Sequence, residues 1–265
     1  MKSPAIMPIY KFNLTYLGSI CLDAILGKKR SFHRDGTLIV SHMGVQVFIR
    51  GDVFLPWSGP GVVVFNHYSR EGFSILFAAA AIAAAVPVDM HWIMTGAWTF
   101  PGRLFSNQLR KFSEKVFGAI ARTYGFTLSP PLPPNPADQP ARTAAIREVF
   151  THIKADPYTL VAFAPEGRDF PSGVLGMPPA GSGKFLLELS RRLGLVYPIG
   201  IFEEGEGLHL HFGAPFDLCS IIKESRLDPD SASRVVIERI ASLLPGYLVG
   251  EFEASLAAYP EDRPA

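Results

Sequence analysis

The sequence predicts an α/β fold: a largely parallel central sheet flanked by helices, with an amphipathic segment at the N-terminus. Three observations predict it. Residues 62–65, 90–94, 160–163 and 196–201 are short runs, rich in β-branched and other apolar residues, that lack polar alternation, as in strands buried on both faces of a parallel sheet. Segments of helix-favouring composition or helical period separate these runs. Strand and helix then alternate along the chain, the order that builds βαβ units.

Composition sets the outer limits. The chain has 265 residues, with 25 basic against 24 acidic residues and a net charge of +1. That balance excludes a strongly basic nucleic-acid binder. Hydrophobic residues make up 48% and charged residues 18%, enough apolar surface to exclude a disordered chain. The mean hydropathy is +0.20, yet no clean apolar run reaches the roughly 20 residues of a membrane span, which excludes a polytopic membrane protein. Cys21 and Cys219 lie far apart and outside any CxxC spacing, so neither a disulfide framework nor a zinc site is implied. A reducing, cytoplasmic setting is expected.

In chain order, residues 1–34 form a segment distinct from the domain at 35–265. Ile9, Leu14, Leu17, Ile20, Leu22 and Ile25 are interrupted by polar residues and followed by Lys28-Lys29-Arg30. A secretory signal would place its charge before the apolar run. An amphipathic segment with a basic edge fits instead, either against an anionic membrane surface or packed on the domain. Residues 38–40 and 45–49 read as strands, and 51–61 as a loop rich in Gly and Pro. Strand 62–65 ends at Asn66-His67. Residues 73–86 are alanine-rich and helical, too short to span a bilayer, and Pro87 stops them. Strand 90–94 precedes a helix of about 20 residues opening at Pro101, a favourable first-turn position. On it Lys111, Lys115 and Arg122 share a stripe. Six prolines stiffen 129–140. Helix 141–154, strand 160–163, a Gly- and Pro-rich loop, helix 184–193 and strand 196–201 follow. Residues 208–212 alternate as an edge strand, and Asp228-Pro229 opens a last helix.

Ligands of open α/β sheets bind past the carboxyl ends of strands. Two polar groups stand at such ends: Asn66-His67, and Glu166-Gly167-Arg168. A histidine there can take a proton from an alcohol, and a carboxylate within reach would hold its tautomer. Glu71 is the nearest such carboxylate in sequence. Arg168 can grip a phosphate through paired hydrogen bonds, and Glu166 can orient a hydroxyl. Each residue also has a plainer reading, a hydrogen-bonded structural histidine or a surface ion pair.

Taken together, residues 35–220 resemble the phospholipid/glycerol acyltransferase family, which includes the 1-acylglycerol-3-phosphate acyltransferases. The run from Gly51 to Asn66-His67 resembles the approach to the family's Asn-His-x-x-x-x-Asp motif. Pro165-Glu166-Gly167-Arg168 resembles its Pro-Glu-Gly-Thr-Arg motif, without the threonine. Phe117-Gly118-Ala119-Ile120-Ala121-Arg122 resembles the segment whose arginine contacts glycerol phosphate, and Tyr197-Pro198-Ile199-Gly200 a fourth block. The motif's aspartate falls at Gly72, one place after Glu71.

The resemblance implies a glycerolipid acyltransferase-like fold and acyl transfer. His67 is then the general base and Glu71 its orienter. Asn66, Arg122, Glu166, Gly167 and Arg168 bind the acceptor, a glycerol phosphate or lysophospholipid. The donor is acyl-CoA or acyl carrier protein, and no cofactor or metal is required. Peripheral contact with the inner membrane face is implied. Two alternatives share the fold: a catalytically silent lipid- or acyl-binding protein, and a thioesterase-like hydrolase. His209 and His211 share a strand face but lack a third ligand. Gly181-Ser182-Gly183-Lys184 lacks the P-loop spacing, and no Gly-x-Ser-x-Gly occurs.

Overall fold

The computed structural model describes residues 7–98, 105–133, 135–170 and 173–253. The described strands are β1 (Gln46–Arg50), β2 (Gly61–Phe65), β3 (His91–Thr95), β4 (Thr127–Ser129), β5 (Leu160–Phe163), β6 (Val196–Glu204) and β7 (Gly207–Phe212). They form one sheet in the order β1-β7-β6-β2-β5-β3-β4. All neighbouring pairs are parallel except β6 and β7, a hairpin joined by a tight turn. The sheet is therefore largely parallel, as the unbroken apolar runs predict: every residue of β2 and β5 is buried.

The described α-helices are α1 (Leu14–Ile25), α2 (Phe32–His42), α3 (Ile75–Ala85), α4 (Ser106–Tyr124), α5 (Gln139–Ala155), α6 (Ser182–Leu193), α7 (Leu218–Glu224), α8 (Ala232–Ala241) and α9 (Gly246–Val249). The chain steps one way across the sheet from β2 to β3 to β4, then back to β5 and on to β6. Right-handed crossovers then put α3 and α4 on one face and α5 and α6 on the other. Accordingly α2 packs on α3 and α1 on α4, while α8 packs on α6.

Three expectations change. Residues 38–40 lie in α2, not in a strand. The helix is opened by Ser31, whose Oγ accepts from the Arg34 N–H, and Phe32, Asp35, Gly36 and Ile39 recur on its buried face. Gly36 sits so close to α3 that a Cβ would meet Ala80 O at 2.7 Å. The helical period from Phe32 to Met43 outweighs three consecutive strand-prone residues. Residues 208–212 belong to β7, which is interior, because β1 pairs on its outer side. Its two faces are buried, so the Leu-His alternation reflects tolerated buried histidines. β4, α7 and α9 are additions. Pro101, read as the start of the fourth helix, lies outside the described residues.

The boundary drawn at residue 34 falls inside α2. Asp35, 3% exposed, accepts bonds from Arg30, Tyr16 and Tyr124. One buried carboxylate thus ties α1, α2 and α4 together.

Candidate active site

β2 and β5 are adjacent and parallel, so the turns that follow them meet at the carboxyl edge of the sheet. Asn66 is the first residue past β2. β2 pairs with β6 as far as Phe65 and Ile199. The Asn66 side chain then stands in for the next rung: the Ile201 N–H donates to its Oδ1 at 2.6 Å, and its Nδ2 donates to Ile201 O at 2.8 Å. Buried and fully engaged, Asn66 braces the strand end. Its amide is thus taken up by backbone, where the resemblance implied a substrate-binding role.

Glu166 is also corrected. Its side chain is buried, and both oxygens are taken by backbone: Oε1 by the His67 N–H at 2.6 Å and Oε2 by the Gly176 N–H at 2.8 Å. It is a clamp between the turn after β2 and the loop after β5, with both oxygens engaged, where the resemblance implied acceptor binding. Burial pushes its pKa up from 4.5 to about 7, against the opposing pull of the two amides.

The clamp leaves the His67 ring free to face the second loop. Its Nδ1 lies 2.9 Å from Asp169 Oδ1. The approach is oblique: Nδ1 meets the distance of a hydrogen bond to Asp169 but not its angle. The neighbouring ring holds the Asp169 carboxyl below the ordinary aspartate range. The carboxylate beside His67 is thus Asp169, three residues past Glu166, and not Glu71. Glu71 is exposed, and its stretch of loop is turned outward by Arg70. Arg70 reaches inward to the buried Glu203 through Nε at 2.5 Å and Nη2 at 2.7 Å, and donates through Nη1 to Glu71 O. The sequence signal for Asp169 was its place in the same loop as Arg168, on the strand next to β2.

Gly167 holds φ +64° at the loop tip, and a Cβ there would meet Leu132 of the proline-rich loop at 2.8 Å. Arg168 is exposed beside it, its guanidinium 4.5 Å from the Phe170 ring centroid. Arg122 is not part of this cluster. It stands at the end of α4, just before β4 begins, hence at the amino edge of the parallel sheet. Its carbonyl accepts from Lys29 Nζ at 2.6 Å. A crossover helix returns to the edge where the next strand starts, which carries Arg122 away from His67.

The turn that opens α3 is partly self-satisfied: the Phe73 N–H donates to Arg70 O, and the Leu76 and Phe77 N–H groups to Ser74. An open depression of about 560 Å³ lined by Gln46, Phe48, Glu204 and His209 lies at the same edge of the sheet, displaced toward β7 and β1, and holds none of these groups. Among the described residues, no three His, Cys, Asp or Glu side chains gather as a metal site.

No protein-family model and no curated protein matches the chain. Among solved structures, it is similar to the 1-acyl-sn-glycerophosphate (LPA) acyltransferase PlsC from Thermotoga maritima, with 16% identity and a TM-score of 0.49, over 84% of this chain and 88% of that one.

Proposed function

We propose that this chain transfers an acyl group from a thioester, acyl-CoA or acyl carrier protein, to a hydroxyl of a glycerol-phosphate or lysophospholipid acceptor. The observation that carries the reading is the His67–Asp169 pair at 2.9 Å at the carboxyl edge of the sheet, with Arg168 exposed on the same loop. The order of the sequence motifs supports it.

With Nδ1 turned to Asp169, Nε2 is the nitrogen left to take the proton of the acceptor hydroxyl. The oxygen attacks the thioester carbonyl, the C–S bond of the tetrahedral adduct breaks, and the imidazolium returns its proton to the thiolate. Asp169 offsets the imidazolium charge during the step. Arg168 holds the acceptor phosphate, and Gly167, at φ +64°, turns the loop that carries it. The amides of the α3 turn not already bonded stabilise the oxyanion.

A lysophospholipid acceptor and the acylated product partition into membranes, and the surface suits a peripheral enzyme. Leu14, Leu22 and Ile25 of α1 and Phe105 and Phe112 at α4 are exposed, beside Lys28, Lys29, Lys111 and Lys115. No helix among the described residues is long and apolar enough to cross a membrane.

The test is product analysis with labelled acyl-CoA and either glycerol 3-phosphate or lysophosphatidate. Ester formation that His67→Ala abolishes is expected. The variant should fold, since Glu166 holds the backbone of residue 67. Free fatty acid formed at the same rate without acceptor would mean a thioesterase. Retained lipid with no turnover would mean a silent binding protein.

A further inference from the structure

Phe48 of β1, His209 of β7 and Phe202 of β6 stand opposite one another across three strands. Their rings stack nearly parallel, with the Phe48 and Phe202 centroids 4.8 Å and 5.1 Å from that of the imidazole. The three side chains therefore share one face of the sheet. Gln46, Gly207 and Glu204 lie two positions away on the same strands, so they belong to that face too. They form the last row before the edge, and the glycine at its centre leaves the row open. A Cβ on Gly207 would meet the Phe48 ring at 2.3 Å. The opening is the depression of about 560 Å³, a size within the roughly 300–1,000 Å³ of small-molecule sites.

The charge around it is of one sign. Glu204 and Glu206 line it, and no lysine or arginine does. Glu203, between them and Phe202, turns to the other face, where Arg70 neutralises it. Glu204 and Glu206 have no such partner among the described residues. The histidine is a second, independent observation. His209 is 9% exposed, yet among the described residues its ring makes no hydrogen bond, and Nδ1 is enclosed without a partner. Both ring faces are covered by phenylalanine, so only the edge that carries the nitrogens is left to meet a ligand in the depression it lines. A polar ring kept in such a place is costly unless something bonds it.

We propose that this depression binds a small primary amine. The Glu204 and Glu206 carboxylates accept N–H bonds from the ammonium, and a ring nitrogen of His209 accepts another. The carbon stem rests on Phe48, whose ring is partly exposed. An anion would meet two unneutralised carboxylates. Among the described residues no three ligating side chains gather, so an organic cation suits the site better than a metal ion. The amine is either free or the headgroup of a lipid. The site uses no residue of the acyl-transfer proposal and does not depend on it.

Titration of the full chain with ethanolamine, read by calorimetry and by the His209 ring-proton NMR signals, tests it. Saturable binding that shifts those signals is expected. Glu204→Gln combined with Glu206→Gln should weaken binding about tenfold or more. The melting temperature should not change, since both side chains are exposed at the hairpin. His209→Gln and Phe48→Leu should each weaken it about threefold. Should either fail to fold, the wild-type ring signals decide: a shift on adding ethanolamine supports the site, and none overturns it. Tetramethylammonium has no N–H and should bind more weakly; equal binding overturns the assignment to a primary ammonium. Vesicles of phosphatidylethanolamine or phosphatidylcholine separate the two sources. Flotation with the first alone, lost in the double Glu variant, assigns the site to a lipid headgroup, and ethanolamine binding without such flotation assigns it to a free amine. No saturable binding by the wild type, undiminished binding by the double variant, or displacement of ethanolamine by an equal concentration of calcium ions overturns the proposal.

Discussion

Asp169 leaves 72% of its side chain in water, while the His67 ring it pairs with is 20% exposed. An exposed carboxylate is screened, so in the proposed reaction its main service would be to hold the ring's orientation and tautomer. Asp169→Asn should therefore lower the turnover number by roughly a hundredfold, less than the ~10⁴ loss at a fully buried triad aspartate. Glu71→Gln should change it less than threefold, about 0.7 kcal/mol. Coenzyme A release under saturating substrate checks both, and a larger loss in the Glu71 variant would restore Glu71 as the orienter. Asn66 belongs to the same scale. Asn66→Ala leaves both the N–H and the C=O of Ile201 unpaired in the sheet, costing about 3 kcal/mol. Urea unfolding of the variant measures it, and a cost below about 1 kcal/mol would mean water replaces the amide.

At the scale of elements, the two loops that carry the candidate site are held by one buried acid. Glu166 has a folded-state pKa near 7 against 4.5 in its ordinary setting, so between those values the native chain binds more protons than the unfolded one. Its contribution to stability is complete below about pH 4.5 and is lost as the pH rises through 7, a change of roughly 3 kcal/mol. Denaturant unfolding from pH 4.5 to 8 should show that decline, and Glu166→Gln should flatten it. An equal decline in both proteins would place the titration elsewhere. The helical elements depend on a second buried acid. Arg30→Ala leaves Asp35 enclosed without its cation and should cost roughly 3 kcal/mol or more. Thermal unfolding reads this directly, and an unchanged melting temperature would mean the tyrosines at Asp35 suffice.

Across the whole molecule, α1 and α4 lie together on one side of the sheet and present apolar side chains ringed by lysines. Leu14→Ser with Ile25→Ser should reduce binding to anionic vesicles by roughly tenfold or more. Flotation assays check it. Added salt should weaken the wild type as well, because the lysines contribute by charge. Binding unaffected by the double substitution would move the contact to another face.

Much of this architecture was legible from the chain alone. Buried parallel strands must be apolar on both faces, so β2, β3, β5 and β6 announce themselves, as do the alanines of α3 and the turn residues that end each strand. His67 and the Glu166–Arg168 loop were legible for the same reason: strand ends in such sheets meet at one edge. Which side chains turn toward each other there was decided only by the tertiary structure. Asn66 and Glu166 are consumed by backbone groups of distant segments, the crossover of α4 carries Arg122 to the far edge, and Asp169 faces His67 across a gap of 102 positions that no local spacing encodes. Local pattern sets whether a segment is strand or helix, because that depends on neighbours in sequence. Partnership between loops depends on how the strands are ordered in the sheet, and that order is a property of the packed molecule.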